Sequence, residues 1–221
     1  MNQWKLACLA TLIALSGTST TAIAAGKMSG NIAATSTYVW RGLALTADAA
    51  MQGGFDYSTS EGIHAGVWTS TVFGGSELDF TVGFAGKAKN IDYDVGLIVY
   101  TYPQYEATAG ANEDYNFNEL YASISLDMLN AGLFHSPEAG TYIEVNATFE
   151  KIAAGMDLGL HFGSYDVDPD FTGLPGDDYN DYNVSLATKV NGFGVSFTLS
   201  DTDITDDSYR TFITASKDFT L

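Results

Sequence analysis

Apolar and polar residues alternate with a period of two along most of this chain. The segment SELDFTVGFAG, residues 76–86, shows the pattern. One parity carries Leu78, Phe80, Val82 and Phe84, and the other carries Glu77, Asp79 and Thr81. Because successive side chains of a β-strand point to opposite faces, this pattern predicts a strand with one apolar face. Residues 90–100, 142–150 and 154–164 repeat it, and no comparable stretch shows a sustained helical period.

The alternating segments predict an all-β chain of about twelve strands. Their expected bounds are residues 28–41, 50–58, 62–72, 76–86, 90–102, 116–127, 129–136, 140–151, 153–164, 179–190, 193–201 and 208–220. The connections alternate in length as well. STSEG, GKAKN, DMLN, EKIA and VNGF are short turns, whereas most of the intervening connections are longer and acidic, at 42–49, 103–115, 165–178 and 202–207.

Short turns at one end and longer loops at the other indicate a transmembrane antiparallel up-and-down β-barrel. A sheet in hydrocarbon cannot leave its edge amides unpaired, so it must close on itself. Tight turns face the periplasm in such barrels, and both termini are therefore expected there. A secreted soluble sandwich is the alternative, although a sandwich does not need connections that alternate in length.

The first 24 residues have the features of a secretory signal peptide. Lys5 supplies the positive start, residues 6–15 form the apolar stretch, and AIA at 22–24 is a small-x-small cleavage site. The apolar stretch is too short to span a bilayer as a helix. We therefore expect residues 1–24 to be removed and residues 25–221 to form an outer-membrane β-barrel.

The charge of the chain excludes some partners. There are 27 Asp and Glu residues against 9 Lys and Arg, and one of these bases, Lys5, lies in the expected leader. Nucleic acid is bound mainly through Lys and Arg, so it is excluded as a partner. Anionic lipid surfaces are excluded as a principal docking target for the same reason. The single cysteine, Cys8, also lies in the leader, so no disulfide is expected in the mature chain.

The last strand indicates how the protein is assembled. Phe219 and Leu221 share a parity, and this arrangement resembles the C-terminal signature of outer-membrane barrels. The resemblance implies recognition by the barrel-assembly machinery. Lys217 falls on the same lipid-facing parity, near the periplasmic interface, where a long side chain can reach water. Outer-membrane lipid and lipopolysaccharide are the other expected partners.

Parity also assigns charged residues to the interior. The expected inward set is Arg41, Asp56, Glu77, Asp79, Asp92, Asp94, Glu119, Glu144, Asp157, Lys189 and Arg210. In the first strand, Tyr38 and Trp40 fall on the parity opposite to Arg41. They are therefore expected on the lipid face as part of an aromatic girdle. Arg41 is then expected to line the mouth of the barrel, and the alternative is a surface arginine at the start of a loop.

The excess of inward carboxylates would concentrate cations in a water-filled lumen and repel anions. The pattern predicts an outer-membrane porin that passes small hydrophilic solutes and prefers cations. The alternative is a non-conducting barrel with a structural or surface-interaction role through its acidic outer loops. Large residues on the inward parity, namely Trp68, Ile98 and Phe212, or an inward-folded 165–178 loop, would favour that alternative.

Several short blocks occur in a specific order, namely YVWRGLALT, MQGGFDYS, GIHAGVWTS, ELDF, YDVGLIVYTYPQY and NFNELYASIS. They resemble successive blocks of the TorF family of porins, which are small proteobacterial outer-membrane proteins. The resemblance covers essentially the whole chain after the leader and is most specific from Tyr38 to Tyr105. The segment ADAAMQGG lacks the proline of the family pattern, which leaves the shape of the first outer loop open. The resemblance implies a porin-like role in the outer membrane and supplies no catalytic residues.

No residue pattern indicates an enzyme or a cofactor. His64, His135 and His161 lie on three different predicted strands. His135 is next to Ser136, but adjacent residues of a strand point to opposite faces. The pair therefore cannot act as nucleophile and base without a turn.

The run DVDPDF is the only weak metal candidate. It places Asp166, Asp168 and Asp170 two residues apart, but an EF-hand loop needs glycine at its sixth position, where this chain has Phe171. A solvated acidic loop is the simpler interpretation, and loose calcium or magnesium binding is the alternative.

Overall fold

The structure, a computed structural model, describes residues 26–104, 115–171 and 174–221. The expected leader, residues 1–24, lies outside the described residues. The strands are β1 Lys27–Thr35, β2 Val39–Trp40, β3 Leu43–Ala44, β4 Ala50–Ser58, β5 Ile63–Val72, β6 Gly75–Ala88, β7 Ile91–Thr101, β8 Phe117–Leu126, β9 Leu129–Ser136, β10 Gly140–Ala153, β11 Met156–Val167, β12 Tyr179–Val190, β13 Phe193–Thr202 and β14 Arg210–Thr220. Within the described ranges, no helix has the length and hydropathy of a membrane span.

Twelve of these strands form one closed antiparallel barrel, and only β2 and β3 lie outside it. Strand β1 pairs with β4 on one side and with β14 on the other. The pairing with β14 runs from Ser29 opposite Thr220 to Thr35 opposite Thr214, so the ladder has no free edge. The predicted barrel is confirmed, and eleven of the predicted strands agree with the structure to within three residues at each end.

The side chains alternate across the barrel wall as the sequence predicts. Phe80 and Val82 of β6 are 47% and 52% exposed on the outer face, whereas Asp79 is 2% exposed on the inner face. Leu120 and Val145 are similarly exposed on the outer faces of β8 and β10. An apolar exterior around a polar interior is typical of a barrel that crosses a bilayer.

The two ends of the barrel differ. At one end of the barrel, which we call the turn end, consecutive strands are joined by the short connections 59–62, 89–90, 127–128, 154–155 and 191–192. Strand β1 begins there and β14 ends there, so both ends of the barrel sequence lie at the turn end. The other end, which we call the loop end, carries the connections after β1, β5, β7, β9, β11 and β13.

The aromatic residues of the outer face lie mainly near the turn end. Phe55 packs on Phe219 with ring centroids 6.1 Å apart, and Phe84 packs on Tyr93 at 6.3 Å. Aromatic residues in this position are typical of a membrane interface.

The predicted placement of Tyr38 and Trp40 in the girdle is wrong. Strand β1 ends at Thr35 rather than at residue 41, so its parity does not extend to these residues. Tyr38 and Trp40 are 4% and 6% exposed and belong to the buried cluster inside the barrel. The physical reason is that the chain leaves the wall after Thr35 and folds inward.

The exposed position of Val145 gives a direct test of the lipid-facing surface. Val145→Arg should lower the free energy of unfolding by about 2–4 kcal/mol, because it places a charge in the apolar belt. The measurement is a urea titration of the folded protein in lipid vesicles. Val145→Leu is the control and should remain within about 0.5 kcal/mol of the parent. Equal tolerance of arginine and leucine would contradict a lipid-facing β10.

Candidate functional site

The connection between β1 and β4 enters the barrel as a short hairpin. We call residues 38–46 the plug hairpin. Val39 pairs with Ala44, and Trp40 pairs with Leu43. The amide of Leu45 donates to the carbonyl of Tyr38 at 2.8 Å. These hydrogen bonds give the hairpin its own ladder, independent of the barrel wall.

The tip of the plug hairpin is the two-residue turn Arg41-Gly42. Their φ angles are 46° and 79°, and positive φ at both positions is the property of a type I′ turn. A Cβ on Gly42 would lie 2.5 Å from Thr202 Cγ2 and 2.7 Å from Asp181 Cβ, so the tip approaches the wall too closely for a larger residue. Positive φ is uncommon for arginine, and the contacts of its side chain must offset that cost.

The guanidinium of Arg41 forms a bidentate ion pair with Glu119 of β8. Nη1 donates to Oε1 at 2.7 Å, and Nη2 donates to Oε2 at 2.8 Å. The Arg41 side chain is 4% exposed and the Glu119 side chain is fully buried. Tyr100 also donates to Glu119 Oε2, at 3.0 Å. Such two-bond geometry compensates much of the cost of burying both charges.

Aromatic rings surround the same guanidinium. Its Cζ lies 4.2 Å from the ring centroid of Tyr142, 4.3 Å from Trp40, 4.9 Å from Tyr165 and 5.2 Å from Phe134. Cation–π attraction therefore replaces part of the lost hydration. The alternation predicts that Arg41 lies in the interior, and the structure places it there on the plug hairpin rather than on the wall at the mouth.

The carbonyl groups of the tip are bound by the barrel wall. The Tyr179 hydroxyl donates to the Arg41 carbonyl at 3.0 Å, and Arg210 Nη1 donates to the Gly42 carbonyl at 2.8 Å. Arg210 also pairs with Asp207 at 2.6 Å. The plug hairpin is thus held by strands on several sides of the barrel.

Asp207 lies in the connection before β14. Burial disfavours its charged form, but hydrogen bonds from Arg210 and Thr202 outweigh burial and hold the pKa of this carboxyl below its ordinary value. The Arg210–Asp207 pair therefore stabilises the fold above about pH 4 and loses that contribution as the pH falls through the lowered pKa.

The interior around the plug tip is tightly packed. Seven inward-facing residues of the wall are at most 4% exposed, namely Ile98, Tyr100, Glu119, Tyr142, Tyr165, Tyr179 and Phe212. Trp68 packs against Tyr38 at 5.7 Å, and Phe171 of the β11–β12 connection packs against Phe117 at 5.3 Å. The plug hairpin and these side chains together fill the described part of the interior at this level.

The inner face is exposed to solvent at the rim of the turn end. Lys87 and Asp92 face the interior there, pair at 2.8 Å, and have side chains 54% and 55% exposed. The predicted inward residues nearer the turn end are Asp56, Asp92, Asp94, Asp157 and Lys189, and those nearer the loop end are Glu77, Asp79, Glu119, Glu144 and Arg210. The registers place all of them on the inner face.

The inner face also carries charged residues that were not predicted, and Lys87 and Asp181 are two of them. Lys87 shares the parity of Glu77, but the predicted strand ended at residue 86, one position too early. Asp181 is 1% exposed on β12 and shares the parity of Lys189, so the same alternation could have found it.

Asp181 belongs to a buried polar cluster with His161 and Tyr142. His161 Nε2 lies 2.9 Å from Asp181 Oδ1, and the Tyr142 hydroxyl donates to Asp181 Oδ2 at 2.9 Å. The other ring nitrogen of His161 lies 2.7 Å from Asn146 Oδ1. Gly163 leaves room for this arrangement, since a Cβ there would overlap Tyr142 and Asp181.

A second cluster of the same composition lies on β5, β7 and β8. His64 Nε2 is 2.9 Å from Asp94 Oδ1, and the Tyr121 hydroxyl donates to the same oxygen at 3.0 Å. A glycine again provides the space, because a Cβ on Gly83 would lie 2.6 Å from the His64 ring. Both clusters are buried, and each contains a hydrogen bond that crosses over a strand, from β5 to β7 in one cluster and from β10 to β12 in the other.

The remaining candidates of the sequence do not converge on a reactive or metal site. His135 Nδ1 lies 2.9 Å from Thr141 Oγ1, whereas the Ser136 hydroxyl donates to Glu138. The amide of Asp170 donates to Asp168 Oδ1 at 2.9 Å, as in a local turn. In the described part of the chain, no group of three or more His, Cys, Asp or Glu residues, Asp166 included, is arranged to hold a metal ion.

The closed ladder, the apolar exterior and the charged interior define a transmembrane β-barrel. The chain belongs to the family described as bacterial protein of unknown function (Gcw_chp), whose model matches residues 19–220. No curated protein matches the sequence.

Solved structures share the fold at low sequence identity. The KdgM porin has a TM-score of 0.57 and 9% identity, over 87% of this chain and 99% of that chain. A structure described as "Unveiling the Mechanism Behind the in-meso Crystallization of Membrane Proteins" has a TM-score of 0.59 and 9% identity, over 88% and 84%. OpdK of Pseudomonas aeruginosa with vanillate has a TM-score of 0.46 and 12% identity, and this chain covers 58% of it.

Removal of the Asp181 charge tests the buried cluster. Asp181→Asn should lower the free energy of unfolding by about 1–3 kcal/mol, because His161 and Tyr142 lose the carboxylate that both of them contact. The measurement is again urea unfolding in vesicles. Asp92→Asn is the matched control, and its exposed pair with Lys87 should contribute less than about 1 kcal/mol. Equal effects of the two substitutions would contradict a structural role for the cluster.

Proposed function

We propose that this protein is an outer-membrane porin for small hydrophilic solutes, that it prefers cations, and that the plug hairpin closes its passage in the conformation described. The main support for this proposal is that a loop segment occupies the lumen. The plug hairpin is inserted from the loop end, so the interior is not filled by side chains of the wall alone.

The size of the barrel supports this interpretation. An eight-stranded barrel is filled by its own side chains, whereas barrels of 16–18 strands leave an aqueous channel. Twelve strands enclose more space than the wall side chains fill, and the plug hairpin occupies the difference. The hairpin is bound by one ion pair, ring contacts and hydrogen bonds, so it can leave without breaking the barrel ladder.

The charge of the interior supports the preference for cations. The predicted inward carboxylates, together with Asp181, outnumber Arg41, Lys87, Lys189 and Arg210. A negative lining raises the local concentration of cations and repels anions. The fold shared with the KdgM porin is consistent with a porin-like barrel, and the resemblance to TorF porins remains a prediction.

A second candidate function is a barrel that never conducts and acts through its acidic outer loops. The specific observation in its favour is the complete burial of the residues around the plug tip. The two functions differ in whether the hairpin moves, and an experiment on the hairpin therefore distinguishes them.

The decisive measurement is conductance in planar bilayers. The parent should open rarely, whereas Arg41→Ala should increase open time and conductance several-fold, because Glu119 loses the pair that holds the hairpin. A variant with residues 37–47 replaced by a short Gly-Ser connection should conduct continuously. Reversal potentials should favour potassium over chloride.

Lys189→Ala is the control for these recordings. It removes a basic group from the open turn end, away from the hairpin, and should leave the opening frequency unchanged. If the hairpin-free variant folds, as shown by a heat-dependent gel shift, and does not conduct, the porin function is contradicted and the non-conducting barrel is favoured. Preference for chloride would contradict the cation preference.

A further inference from the structure

Two buried carboxylates beside the plug hairpin have no role in the contacts described above. Glu77 and Asp79 lie two residues apart on β6 and face the interior, where they are 0% and 2% exposed. Neither oxygen of Asp79 has a hydrogen-bond partner among the described residues, and neither does Oε2 of Glu77. Tyr102 donates to the remaining oxygen, Glu77 Oε1, at 2.9 Å.

No base neutralises this pair within the part of the chain that the structure describes. Arg41 of the plug hairpin directs both of its terminal nitrogens at Glu119. Glu119 is itself close enough to Asp79 to repel its charge. Burial of carboxylates without a counter-charge is very unfavourable, so the pair must be neutralised either by protons or by a cation from outside the chain.

An independent observation on the plug hairpin points to the same space. The Tyr38 hydroxyl is buried close to Glu77 and Asp79, near enough to interact with the Glu77 carboxylate, but it forms no hydrogen bond of standard geometry with the described residues. Tyr38 is 4% exposed and belongs to a different element from the two acids. Oxygen atoms of two elements that lack standard hydrogen bonds thus lie close together.

We propose that Glu77, Asp79 and Tyr38 bind one divalent cation of the calcium or magnesium type between the plug hairpin and the wall. The donors are all oxygen, which suits hard cations and disfavours zinc or copper. Two carboxylates neutralise one divalent ion. With only two acidic ligands, the expected dissociation constant is about 10⁻⁴–10⁻³ M.

The ion would connect the plug hairpin to β6, on the side of the barrel away from Asp181 and Thr202, which contact Gly42. Divalent cations would therefore favour the closed conformation. This consequence for closure rests on the proposed porin function, whereas the binding itself does not.

The test is terbium luminescence of the full-length mature protein, folded in detergent and treated with chelator. Terbium is a probe for calcium sites with oxygen ligands. It would be sensitised by Tyr38, a proposed ligand, and by Trp68, whose ring lies 5.7 Å from that of Tyr38. We expect one saturable ion per chain, displaced by calcium. Asp79→Asn and Glu77→Gln should each weaken binding at least tenfold.

Asp92→Asn and Asp170→Asn are the controls, one in the open turn end and one in the outer loop, and both should bind as the parent does. Tyr38→Phe should weaken binding less than the acid substitutions. The melting temperature of the parent should also rise with calcium relative to chelator, which tests the site without any substitution.

Absence of a saturable site would show that protons neutralise the pair and would overturn the proposal. Equal loss of binding in Asp170→Asn would place the ion in the outer loop and would also overturn it. Binding is measured without a membrane potential or a conductance, so its result does not depend on whether the protein is a porin.

Discussion

The hydrogen-bonded pairing of β1 with β14 is the constraint on which the rest of the structure depends. It removes the last free edge of the sheet, and only a sheet without edges can present its backbone to hydrocarbon. Closure also creates an enclosed interior, and the alternation along each strand then sends polar and charged groups into it. The plug hairpin and the buried clusters both follow from that enclosure.

The interior combines paired charges with a buried cluster that is largely aromatic. Arg41 and Glu119 compensate each other by geometry, and the aromatic rings around Arg41 replace water. The two His-Asp-Tyr clusters extend the same principle along the wall. Glu77 and Asp79 are the exception, because their charges have no counterpart in the described chain. Because the other buried charges described above have partners, these two carboxylates are the best candidates for binding a ligand.

The period of two predicted the fold and the inner-face residues of the wall, because parity and strand length are local properties of the sequence. It failed where the chain stops being a strand. Tyr38 and Trp40 continue the alternation beyond Thr35, so no local signal distinguishes a hairpin that folds inward from a strand that continues. The Arg-Gly turn is the only hint, and its meaning depends on Glu119, which lies 78 residues away along the chain.

The hydrogen bond from Arg210 to Gly42 links the final strand to the tip of a hairpin near the start of the chain. The same strand, β14, closes the sheet by pairing with β1. It therefore has two duties in the folded protein, since it seals the wall and supplies a donor to the plug hairpin. A barrel that lacked a docked β14 would lose both contacts together.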